Sequence, residues 1–441
     1  MKLSATIRDR LNQSSALTFS TYAIIAAFGT YFSMYAFRKP FAAGTYEAFE
    51  KIALPWGGFI AYKTLLIITQ VLGYCLSKFI GIKVISELPQ AQRALGIVTC
   101  IAVAWGALLL FPIVPAPYNI LCLFINGLPL GMVWGLTFGF LEGRRFSEVL
   151  GVGLSASYIV ASGAVKGVGT WLITQGVPEL WMPFATGAIF VIPIGMFVYL
   201  LACLPPPNAE DIALRSERAP MDGSARVAFF KRYWIGLTAL TTLYITLTAY
   251  RDFRDNFSVE IWRALGYSKD EVSVLLANTE LVVTIGVLVL LALLMVIRDN
   301  RKALLAVHVI MLSGTALVGV STLLFELKLI DAVSWMSFVG LGLYAAYVPF
   351  GCILFDRLIA TVGAVGTAGF LIYLTDAFGY LGAVNLMLYR DLGQPDLSWL
   401  SFFIKVSYLT SIICTALYLV SLSYFAYITR QTNSRFERST G

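Results

Sequence analysis

The stretch YFSMYAFRKPF, Tyr31 to Phe41, closes an apolar run that begins near Leu17 and ends it with two adjacent cations, Arg38 and Lys39. A run of this length can cross the hydrocarbon core of a bilayer as a helix. The charges at its end then have two readings. They cap the helix by reaching back to the headgroups, or they mark a polar pathway inside the membrane.

Working outward, the whole chain shares the apolar character of that run. Of its 441 residues 58% are hydrophobic and 13% charged, and the mean hydropathy is +0.78. So few polar side chains cannot cover a soluble globule of this size, and the composition reads as an integral membrane protein. The net charge of +7 does not point to nucleic acid, because the basic residues sit in short loops between apolar runs. The cysteines (Cys75, Cys100, Cys122, Cys203, Cys352, Cys414) stand singly in apolar spans with no CxxC pair, so neither a metal site nor a disulfide framework is expected.

Apolar segments long enough to span lie near 18–41, 58–80, 95–115, 118–141, 150–174, 182–204, 233–257, 271–297, 303–327, 330–355, 362–389 and 399–428. They predict an all-α membrane protein of twelve transmembrane helices. The first is too long, and lacks the small-residue cleavage site, to be a signal peptide. One polar break, Pro205 to Arg232, divides the chain into an N-terminal six-helix bundle (1–204), a cytoplasmic linker (205–232) and a C-terminal six-helix bundle with its tail (233–441). With both termini cytoplasmic, the outer loops hold only Lys51, Arg263, Lys269, Lys328 and Arg390, as the positive-inside rule requires. The expected location is a bacterial-type inner (plasma) membrane, with the chain a monomer in the lipid bilayer.

Eight cations fall within or at the ends of spans: Arg38, Lys39, Lys63, Lys78, Lys166, Arg251, Arg254 and Lys405. Helical spacing stacks Tyr31, Tyr35 and Arg38 on one face of the first span, and Gln70, Tyr74 and Lys78 on one face of the second. Tyr244, Thr248, Arg251 and Asp255 do the same in the seventh. Such stripes cost a few kcal/mol per ion against lipid, so they should line a shared interior. Arg38 and Arg251 also hold corresponding places in the first helix of each half. A pseudo-two-fold axis along the membrane normal would set them across one cavity, as a two-point clamp for a compact anion such as phosphate.

The pattern resembles the major facilitator superfamily, and in detail its organophosphate:phosphate antiporter branch, which includes glycerol-3-phosphate and hexose-6-phosphate transporters. YFSMYAFRKPF resembles that branch's helix-one signature, YCLSKF (Tyr74 to Phe79) its helix-two signature, NGLPLGMVW (Asn126 to Trp134) its helix-four signature, and GTAGFLIYLTDAFGYLGA (Gly366 to Ala383) its helix-eleven stretch. The resemblance implies phosphate ligands at Arg38, Lys78 and Arg251. It also implies a gating pair of Lys39 with Glu280, and with a helix-seven Asp that is here Asn256; Asp255 or Asp252 stands close enough to replace it. The branch's helix-five His is absent, with Tyr158 in its place, and Arg254 has no counterpart. The chain therefore reads as a divergent relative.

Taken without the resemblance, Lys63 and Lys405 read as interfacial snorkellers and His308 as a packed or lipid-edge residue. Lys166, in step with Tyr158 and Ser162, either lines the cavity or ends a helix. Asp376, with Tyr373 and Tyr380, forms a further stripe with an expected cavity role. No Walker motif, nucleophile triad or ligand cluster is present, so neither an enzyme nor a cofactor is expected. Three functions fit: exchange of an organic phosphate for inorganic phosphate, sensing of an external phosphate ester, and proton-coupled symport of another anion with Glu280 or Asp376 as the protonated carboxyl.

Overall fold

The computed structural model describes residues 2–55, 57–141, 144, 147–207, 223–362 and 368–440. The protein is an all-α membrane protein. Ten helices among the described residues are long and apolar enough to cross a bilayer. The seventh and eleventh expected spans correspond to two further long helices, Gly223–Asn256 and Ala368–Leu388. The seventh breaks at Tyr233, whose φ of −118° and ψ of 22° are not helical. Most of the expected linker, residues 208–222, lies outside the described residues.

The chain divides into two compact units. The first comprises Met1–Arg215 with Asp255–Leu281 and Met387–Leu400; the second comprises Ser216–Arg254, Val282–Leu386 and Ser401–Gly441. In the first unit α1 (Lys2–Asn12) precedes six longer helices: α2 (Ala16–Tyr35), α3 (Tyr62–Glu87), α4 (Gln90–Leu110), α5 (Ile120–Phe138), α6 (Ser147–Thr174) and α7 (Met182–Ala202). Ser15 starts α2 by accepting the Thr18 amide, satisfying one of the donors a helix leaves free at its first turn.

Helix α2 ends at Tyr35, capped by Ala36, so Arg38 and Lys39 lie beyond it in the turn that leads to a short 3-10 helix, Pro40–Ala43. The expected first span carried the helix through these cations. Pro40 contributes to the earlier stop, since it has no N–H to give to the Ala36 carbonyl and its ring would clash with that carbonyl in a continuing helix. A two-stranded hairpin, pairing Ile52 with Ile60 and Ala53 with Phe59, then leads into α3.

Close helix contacts in this unit are made at glycines. A side chain at Gly73 would strike the Phe124 carbonyl, and one at Gly127 the Gln70 carbonyl, so α3 and α5 approach backbone to backbone. Gly163 and Gly167, one turn apart on α6, meet the Leu276 and Ser273 carbonyls in the same way. These belong to the helix Lys269–Met295, whose first turns are part of the first unit.

Candidate functional site

Within the first unit two clusters of cations are built from the Arg38–Lys39 turn. The first holds Arg38, which is only 5% exposed. Its guanidinium carbon lies 3.8 Å from the centre of the Tyr74 ring and 5.7 Å from that of Tyr35, and Tyr31 packs edge-on against Tyr35 at 5.6 Å. Lys78 Nζ lies 5.2 Å from the same Tyr74 ring and 5.9 Å from Trp134. Both cations thus share one aromatic platform, which attracts a cation through its negative face.

The turn is fixed from beneath. Gln70 Nε2 donates to the Arg38 carbonyl at 2.7 Å and to Asn126 Oδ1 at 2.7 Å. Asn126 Nδ2 in turn donates to the carbonyls of Phe37 and Ala104 at 2.9 and 3.0 Å. The sequence placed Gln70 on a polar stripe and Asn126 in a motif, but their joint hold on the Arg38 turn depends on the close α3–α5 approach. Tyr158 is half-buried on α6.

The second cluster centres on Asp255. Lys39 Nζ lies 2.5 Å from Asp255 Oδ2 and donates to Asn256 Oδ1 at 3.0 Å. Lys166 Nζ lies 2.7 Å from Asp255 Oδ1 and 2.9 Å from Ser258 Oγ, and also donates to the Asp255 carbonyl. Ser162 donates to the same Oδ1. Asp255 is therefore the carboxylate beside Lys39, where the resemblance placed an Asp one residue later. Lys166, read from sequence as either lining or terminal, is 2% exposed and serves as a second cation on this carboxylate. Glu280 packs over Gly163, which lies one turn before Lys166 on α6.

Lys63 departs from its sequence reading. Far from snorkelling, it is 3% exposed, and its Nζ donates to the Ala42 carbonyl at 2.8 Å and to Glu260 Oε1 at 2.5 Å. Glu260 lies on the short helix Ser258–Ala264, too far along the chain for spacing to pair it with Lys63. His308, in the second unit, is packed: its ring nitrogens face the Leu304 carbonyl and Ser421 Oγ at 2.8 and 3.0 Å.

The second unit holds Arg251. Its Nη2 lies 2.7 Å from Asp252 Oδ1, its Nε 3.1 Å, and its guanidinium carbon lies 4.4 Å from the centre of the Tyr347 ring. Tyr347 and Tyr244 share a hydroxyl contact of 2.8 Å, and Tyr244 donates to Asp376 Oδ1 at 2.6 Å. Arg251 and Asp376 thus belong to one network through two tyrosines. Arg254 is 3% exposed and donates from Nη2 to the Met336 carbonyl at 3.2 Å, packed over Gly340. Its surroundings are those of a buried structural donor.

The fold these elements define is that of the major facilitator transporters. A D-xylose-proton symporter matches with a TM-score of 0.59 at 12% identity, over 91% of this chain and 97% of its own. A bacterial homologue of the human drug peptide transporters PepT1 and PepT2 matches with a TM-score of 0.58 at 13% identity, over 95% of this chain and all of its own. At such identities the likeness is one of fold. No curated protein sequence matches the chain. The chain belongs to the family of unknown function DUF5690, whose sequence pattern covers residues 40–427.

Proposed function

We propose that the protein is a secondary active transporter that moves a small phosphorylated organic anion across the membrane by alternating access, in exchange for inorganic phosphate. The observation that carries this reading is the Arg38–Tyr74–Lys78 group, two cations on one buried aromatic platform. Arg matches phosphoryl oxygens two at a time and Lys adds a point charge, so the pair suits a compact dianion. Arg251 is the further cation assigned to anion binding. Lys39, Lys166 and Asp255, with Asn256 and Glu280, are assigned to gating, because an ion cluster that forms and breaks biases one conformation over another. The location assigned is an inner (plasma) membrane with cytoplasmic termini, from the placement of loop cations.

A second reading takes its support from the Tyr244–Asp376 hydrogen bond and assigns Asp376 as the carboxyl that binds a coupling proton. It makes the protein a proton-coupled symporter of another anion; proton coupling, there of a sugar, is what the name of the D-xylose-proton symporter states for that relative in fold. Counterflow in proteoliposomes separates the two. Vesicles preloaded with phosphate should accumulate labelled phosphate esters without a pH gradient if the protein is an exchanger. Uptake that needs the gradient and ignores internal phosphate would support symport.

A further inference from the structure

We propose that Glu260 is a proton-binding residue of the transport cycle, and that a proton on its Oε2 weakens the Lys63 latch that ties the helix Ser258–Ala264 to the 3-10 helix following Arg38 and Lys39. The proposal goes beyond the anion reading and does not depend on which anion is carried.

Its basis is an asymmetry in one ion pair. Glu260 has a side chain only 9% exposed, and Oε1 takes the Lys63 ammonium at 2.5 Å. Its other oxygen, Oε2, is buried and meets no hydrogen-bond donor among the described residues. An ionised carboxylate puts half its charge on each oxygen, and half a charge in a dry place without a donor is costly. A proton from water added to Oε2 removes that charge. Oε1 remains an acceptor for Lys63, now in an ordinary hydrogen bond, and Lys63 keeps its own proton. Burial pushes the Glu260 carboxyl above the usual carboxylate range, against the opposing pull of Lys63 and the weaker one of Lys166. Among the described residues, Glu179 also acts on Lys63, and the Tyr46 hydroxyl is raised first by burial, then by Glu179 and, more weakly, by Tyr62 and Glu260.

The pair is placed so that its loss would be felt at the anion-binding turn. Lys63 also holds the Ala42 carbonyl, in the 3-10 helix that directly follows Arg38 and Lys39. Ser258, at the start of the Glu260 helix, is held by Lys166. Protonating Glu260 leaves Lys63 and Lys166, the second of which also holds Asp255, with one less negative charge nearby. That change loosens the helix and makes its surroundings more favourable to an anion.

The test is infrared difference spectroscopy of the whole protein in nanodiscs during an acid titration, following the C=O stretch of protonated carboxyls. In the wild type a buried-carboxyl band should grow as the pH falls, at a pH above that at which an ordinary exposed carboxylate takes up its proton. Glu260→Gln should delete it and Glu260→Asp should move it, while the amide bands report an intact fold. Lys63→Gln removes the opposing cation, so the midpoint should rise by about one unit or more. A band that survives Glu260→Gln, or a midpoint that Lys63→Gln leaves unmoved, overturns the proposal. Because no substrate is added, these outcomes are independent of whether phosphate counterflow is found.

Discussion

Lys39 and Lys166 share one carboxylate: their Nζ atoms lie 2.5 and 2.7 Å from the two oxygens of Asp255. Both lysines are buried, at 5% and 2% exposed, so each depends on that charge. Asp255→Asn should therefore cost on the order of 3 to 5 kcal/mol, the usual penalty for leaving a buried charge uncompensated. Lys166→Met in that background should restore part of the loss by removing one stranded cation. Thermal unfolding of the purified variants reads both effects, and an additive double mutant would mean the residues are not coupled.

Anion affinity should follow the Arg38 platform. Arg38→Lys keeps the charge but loses the planar fork, and a charge-assisted hydrogen bond in a dry site is worth about 1.5 to 3 kcal/mol. Inorganic phosphate and phosphate esters should bind about ten-fold more weakly or worse. Tyr74→Leu removes the ring beneath both cations and should weaken binding by several-fold more than Tyr158→Leu does. Unchanged titrations in Arg38→Lys would return Arg38 to the role of a helix end-cap.

Arg251 should respond in the same sense, but with its own signature. Because Asp252 already occupies its N–H groups at 2.7 and 3.1 Å, Asp252→Asn should free the guanidinium and tighten phosphate binding. Arg251→Lys should weaken it by about ten-fold. If Asp252→Asn weakens binding instead, the pair acts as a structural unit and Arg251 is not an anion ligand.

Arg254 separates stability from affinity. Its bond to the Met336 carbonyl and its fit over Gly340 are internal to the second unit, so Arg254→Lys should lower stability by about 1 to 3 kcal/mol. Phosphate affinity of the folded fraction should stay within about two-fold. A large affinity loss with normal unfolding would move Arg254 into the binding group.

Orientation is checked with single cysteines. One at Gly223, which follows the segment outside the described residues, should react in intact cells only with membrane-permeant reagents. One at Gln394, in the connection before the last helix, should react with impermeant ones. The reverse pattern overturns the cytoplasmic assignment of the termini.

The membrane class was legible from composition, because apolar side chains in runs of about 20 have no other stable use. The helix order followed from the same runs, and the polar stripes Tyr31/Tyr35 and Gln70/Tyr74/Lys78 followed from period alone. Arg38 meets Tyr74 as those stripes suggest, even though α2 stops at Tyr35 and the cation sits in a turn. Tertiary structure decided the partners. Asp255 took the place beside Lys39, Lys166 became its second cation, and Lys63 turned inward to Glu260. Sequence spacing reports which side chains share a face of one helix, and a cation's reach of several ångströms lets it choose among carboxylates on other elements. That choice rests on which backbones pack closely, as α6 does against Ser273 and Leu276 through Gly163 and Gly167, and no local pattern in either segment encodes the meeting.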